Sequence, residues 1–115
     1  MIPLPQAKKI LVCKTPIDMR KSFDGLFAVA CQQLKSSPLD GNLFVFFNKR
    51  KSMIKLLFWD VGGLCILAKR LEKGTFEIPL SNREEFELNP TDLQLILEGI
   101  NLHTINYRKR YNALK

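Results

Sequence analysis

Residues 43–76 read LFVFFNKRKSMIKLLFWDVGGLCILAKRLEKGTF, and their punctuation decides the fold. Residues 43–48, 53–60 and 64–71 are three runs of strand length, rich in Leu, Ile, Val and aromatic side chains. Between them stand two short breaks. Lys49-Arg50-Lys51-Ser52 is polar and suits a hairpin tip, and Val61-Gly62-Gly63 suits a tight turn, where glycine tolerates positive φ. Short connections of this kind join antiparallel neighbours, so the segment predicts a β-meander. Glu72-Lys73-Gly74 reads as a further turn, and residues 75–80 as a fourth strand. In that last run Phe76, Ile78 and Leu80 alternate with Thr75, Glu77 and Pro79, with the proline suggesting an edge position.

Working outward from the meander, residues 9–14 form a short apolar run expected to be a first strand, buried on both faces or nearly so. A helix is expected to follow, with Asp18 as its N-cap and a stripe at Met19, Phe23, Leu26, Phe27, Ala30, Cys31 and Leu34. Gly25 interrupts it at a cost of about 1 kcal/mol relative to alanine, which implies that another backbone or a bulky ring packs close to it. The helix should end by Ser36-Ser37-Pro38. On the C-terminal side, Asn89-Pro90-Thr91-Asp92 has the composition of a helix start, and Leu93, Ile96, Leu97 and Ile100 supply its stripe. Gly99 suits a left-handed cap. The expected architecture is α+β: an antiparallel sheet of four to five strands, with a central meander, packed by two main helices. One domain over residues 1–106 and a basic, flexible tail over residues 107–115 are expected.

The chain of 115 residues carries a net charge of +7, spread unevenly. Residues 1–59 have a balance of +7, residues 60–107 of −4 and residues 108–115 of +4. A basic surface favours polyanions, nucleic acid foremost, although charged turns also serve solubility. The three cysteines, Cys13, Cys31 and Cys65, are widely spaced and sit in apolar stretches, and His103 is the single histidine. That is the pattern of buried free thiols in a reducing cytosol rather than of a zinc site. Neither a secretion signal nor a membrane-spanning run is visible, so a cytoplasmic protein is expected. Nothing calls for a cofactor, a metal, a membrane or a small-molecule substrate.

Catalytic chemistry is poorly supported. Asp18, Asp24, Asp60, Glu72 and Glu98 are the carboxylates that a metal-dependent nuclease would need to bring together, yet a cap or turn role accounts for the foremost of them. The cations are more specific. Turns alternate between the two ends of a meander, so the tip at residues 49–52 and the turn at 72–74 should share one end. Lys49, Arg50, Lys51, Lys55, Lys69, Arg70 and Lys73 would gather there, joined by Arg20 and Lys21 from the start of the first helix. Trp59, flanked by Leu57 and Phe58, is expected in the core rather than stacked on a base.

Residues 53–76 strongly resemble the TnpB accessory proteins of the insertion-sequence sixty-six family, products of its second reading frame. Asp18-Met19-Arg20-Lys21-Ser22-Phe23-Asp24-Gly25-Leu26 looks like that family's motif before its first helix. Leu97-Glu98-Gly99-Ile100 looks like the close of its last, and Leu43-Phe44-Val45-Phe46 also fits. The resemblance spans nearly the whole chain. It departs at Asn101-Leu102, where an aromatic is usual, and in the tail from Tyr107. It implies a non-catalytic protein encoded beside a separate transposase, which performs the cutting and joining, and beside a second accessory protein. These are not the longer RNA-guided nucleases that share the name TnpB. Three function classes follow for testing: a DNA-binding accessory factor using the cations above, a protein–protein adaptor docking on the transposase or the other accessory protein, and, least supported, a nuclease using Asp18, Asp24 or Asp60.

Overall fold

The computed structural model describes residues 3–78 and 85–99. In chain order the elements are β1 (Ile10–Cys13), α1 (Phe23–Gln33), a 3₁₀ turn (Pro38–Asp40), β2 (Leu43–Phe47), β3 (Met53–Asp60), β4 (Gly63–Arg70), β5 (Glu85–Leu88) and α2 (Pro90–Leu97). The strands form one five-stranded sheet in the order β4-β3-β2-β1-β5. The expected meander is present as β2-β3-β4, with Phe44 opposite Leu57 and Leu56 opposite Leu67. The sheet is not wholly antiparallel. β1 runs parallel to β2, with Val12 level with Val45, as a crossover helix between two strands permits.

The pleat assigns each helix its own face. On β2, Leu43, Val45 and Phe47 point to one side and join Ile10, Val12, Ile54 and Leu56 with Leu93, Ile96 and Leu97 of α2. Phe44 and Phe46 point to the other and join Cys13 and Leu57 with Leu26, Val29 and Ala30 of α1. A helix on each face explains why all five residues of β2 are buried. It also explains an apolar run without alternation, which a sheet covered on one face would not need.

Several expectations change. Residues 75–78 form no strand. Phe76 instead turns under the sheet, buried against Phe47 with ring centroids 6.0 Å apart, and its N–H bonds the Lys51 carbonyl at 2.7 Å. Alternation there reflects one-sided packing without a ladder. Pro79, Leu80 and the tail lie outside the described residues. The sheet gains its fifth strand from β5, which pairs with β1 at the far edge. α1 starts later than expected, with Ser22 as N-cap, and Asp18 lies in the preceding turn. The helix stops at Gln33, followed by Lys35 in the left-handed region at φ 50°. Phe23 and Cys31 of the expected stripe are exposed, and Val29 takes a core position. Gly25 faces the aliphatic stem of Lys21, 3.2 Å from where a Cβ would sit, rather than a ring or another backbone. Trp59 is not core. It is 44% exposed near the end of β3. α2 follows its sequence signals, with Asn89 Oδ1 accepting from the Asp92 N–H at 2.7 Å and Gly99 at φ 75°.

Candidate nucleic-acid interface

Three segments meet at one end of the sheet: the β2–β3 hairpin tip, the stretch after β4, and the loop between β1 and α1. Asn48 builds the tip. Its Oδ1 accepts from the N–H groups of Ser52 and Met53 at 2.9 and 3.0 Å, and its Nδ2 donates to Ser52 Oγ at 3.0 Å. The Lys51 N–H closes the turn on the Asn48 carbonyl at 3.1 Å, and Lys51 is held at φ 58°. In the sequence Asn48 reads as the end of the strand run 43–48, yet an Asx residue opening a polar tip is a recognisable turn signal. The stretch after β4 then straps the tip. The Leu71 N–H bonds the Ser52 carbonyl at 2.8 Å, and Phe76 bonds Lys51 as above. Together these bonds fix the backbone that carries Lys49, Arg50 and Lys51, and all three side chains are exposed. None of the three has a hydrogen bond or ion pair to another described residue.

The strap brings Lys73 to the same end, in an exposed turn where Gly74 has φ 81°. The β1–α1 loop arrives there through the Ile17 N–H, which bonds the Phe47 carbonyl at 2.9 Å. It carries Arg20 and Lys21, both exposed. The gathering expected from meander geometry is therefore present in space, but its members do unlike things.

Lys55 and Lys69 are occupied inside the fold. Lys55 lies on the α1 side of β3, and its Nζ donates to the Met19 and Lys21 carbonyls at 2.7 and 2.9 Å. It pins the loop before α1 to the sheet. Lys69 lies on the α2 side of β4, and its Nζ donates to the Leu97 carbonyl. There it meets the negative end of the α2 dipole. Arg20 and Arg70 are exposed but paired. Arg70 lies 3.2 Å from Glu72. Arg20 grips Asp18 with Nε and Nη2, the shortest contact being 2.7 Å. The side-chain hydrogen bond from Arg20, followed by the Arg20 backbone N–H, lowers the Asp18 pKa to about 2. The carboxylate is thus ionised at neutral pH and pairs with Arg20 at the solvent-exposed surface. Lys21, Lys49, Arg50, Lys51 and Lys73 remain as the open cations of this end.

The acidic candidates do not converge. Asp18 and Glu72 are taken by Arg20 and Arg70, Asp60 lies at the opposite end of the sheet, and Glu98 follows α2. Among the described residues no three His, Cys, Asp or Glu side chains come together as a metal group would need. No described helix is long and apolar enough to cross a membrane.

The family model described as IS66 Orf2 like protein matches residues 8–107. Two relatives from Sinorhizobium fredii, the uncharacterized proteins y4hO and y4jC, align over 100 residues at 35% and 30% identity. The alignment covers 87% of this chain in both cases, and 87% and 86% of the relatives. No solved structure matches.

Proposed function

The chain belongs to the IS66 Orf2-like family of insertion-sequence proteins, and from that premise we propose that it is a non-catalytic accessory factor of DNA transposition that binds duplex DNA through the basic end of its sheet. The observation that carries this reading is the hairpin tip. Three adjacent cations, Lys49, Arg50 and Lys51, stand on a backbone fixed by Asn48 and by the strap, without partners among the described residues. A fixed backbone lowers the ordering cost of binding, and phosphate neutralisation supplies the affinity. Lys21 and Lys73 flank the tip. Arg20 and Arg70 are held by exposed pairs of a kind that contributes little, so phosphate can compete with their carboxylates.

Five open cations predict a slope of log K against log salt of about −4 to −5 for duplex DNA. Fluorescence anisotropy at several salt concentrations measures it. Replacing Lys49, Arg50 and Lys51 together by alanine should bring the slope up by about 2.7, with the fold intact. Absence of binding at low salt, or an unchanged slope in the triple variant, removes the proposal.

A second reading has its own support at the opposite end. Leu39, Trp59 and Val61 are exposed there, at 58%, 44% and 100%. Exposed apolar groups of this size favour a protein contact, in line with an adaptor role toward the transposase or the second accessory protein. Capture of a co-expressed transposase that survives nuclease treatment and is lost in Trp59→Ala would favour the adaptor.

A further inference from the structure

The two edges of the sheet are guarded differently. β5 is four residues long and carries the exposed Glu87 between Phe86 and Leu88. Short length and charge are ordinary devices against strand pairing. β4 is eight residues long, and its first six, Gly63 to Ala68, carry no charge and no proline. Leu64, Cys65, Ile66 and Leu67 are only half-buried. Among the described residues nothing pairs with the outer side of this strand. The Leu71 N–H points inward to the Ser52 carbonyl, in register with the β3–β4 ladder. Backbone groups alternate along a strand, so Leu64, Ile66, Ala68 and Arg70 direct theirs outward.

We infer that β4 is the contact strand of a homodimer, pairing antiparallel with β4 of a second copy about a two-fold axis near Ile66. Three features select a second copy over another strand. A two-fold axis perpendicular to the sheet keeps like faces together and pairs residues of equal parity. Outward amides therefore meet outward amides. With the axis at Ile66, Leu64 of one copy faces Ala68 of the other, a large side chain beside a small one, and Cys65 faces Leu67. Each copy then extends the apolar rows on both faces of the sheet. Charge selects the same arrangement. Antiparallel pairing separates the two basic ends by the length of the strand, whereas parallel pairing would set them side by side. It also brings Lys69 and Arg70 of each copy to the Gly62–Gly63 turn of the other, where no side chain obstructs them and Asp60 lies one strand away.

The contact requires no DNA, so it stands or falls apart from the function proposed above. Ala68 is exposed and its N–H points outward, so Ala68→Pro removes an edge donor without breaking a bond to β3. Ala68→Lys adds the charge that native edges use. Sedimentation equilibrium of the full chain at about 50 μM should show a dimer, and each variant should weaken it about tenfold or more with an unchanged circular dichroism spectrum. Amide exchange at Ile66 and Ala68 should slow as concentration rises. If Ala68→Pro disturbs the fold, Ala68→Lys alone decides. A monomer at that concentration, or a dimer indifferent to Ala68→Lys, overturns the inference.

Discussion

Lys51 sits at φ 58° in the hairpin tip, a region that non-glycine residues enter at a cost of about 1–2 kcal/mol. The surroundings hold it there. Its N–H and carbonyl bond Asn48 and Phe76, and Asn48 fixes the two following amides. Lys51→Gly separates the backbone cost from the side chain's proposed contact. It removes the steric cost but adds unfolded-chain entropy, so the net gain in stability should be about 0.5–1 kcal/mol. If Lys51 contacts phosphate as proposed, the same change should make the salt slope shallower by about 0.9. Chemical denaturation and anisotropy on one preparation measure both. A stability gain with unaltered DNA affinity would mean that Lys51 does not face the polyanion.

The lysines of β3 and β4 show why residue type alone does not define the proposed interface. Lys55 and Lys69 belong to strands whose ends are basic, and sequence reasoning grouped them with the tip. What separates them is the face each occupies and the helix beneath it, which depends on contacts 28 to 36 residues away in the chain. Lys69→Met should therefore lower stability by about 1 kcal/mol, through loss of the bond to the α2 terminus, and leave the salt slope unchanged. Arg50→Ala should do the reverse, with a slope shallower by about 0.9 and stability within about 0.5 kcal/mol. Denaturant melts beside binding curves distinguish the four results. The same division between local and distant information runs through the fold. The β2-β3-β4 meander was legible because its turns are short and carry their own chemistry, and α2 because Asn89 and Pro90 mark its start. The parallel pairing of β1 with β2 was not, since it depends on how α1 crosses the sheet. Nor was β5, whose Glu-Phe-Glu-Leu is too short to stand out, whereas the alternation after Thr75 imitates a strand. Trp59 was misplaced for a related reason: strand residues near a sheet end lose cover that their neighbours Leu56 and Leu57 retain.

Across the whole molecule, one end of the sheet is basic and the other exposes Leu39, Trp59 and Val61. On the proposed function, a monomer would hold one DNA segment at a time through its tip. The proposed β4 dimer changes the geometry, because its two-fold axis directs the two basic ends in opposite directions, about 25 Å of strand apart. Two such ends cannot follow one straight duplex side by side, but they suit two separate duplexes. Transposition requires that separate DNA segments be held together, so the dimer would give an accessory factor a mechanical task that needs no catalytic group. Mixing a long and a short duplex with the protein should produce a complex containing one of each, resolved by native electrophoresis with two differently labelled strands. Ala68→Lys should abolish the mixed complex and leave single-duplex binding within about twofold, because Ala68 lies on the edge strand and outside the hairpin tip. The triple replacement of Lys49, Arg50 and Lys51 should remove both complexes while the protein still sediments as a dimer. Mixed complexes that persist in Ala68→Lys would assign bridging to a surface other than β4.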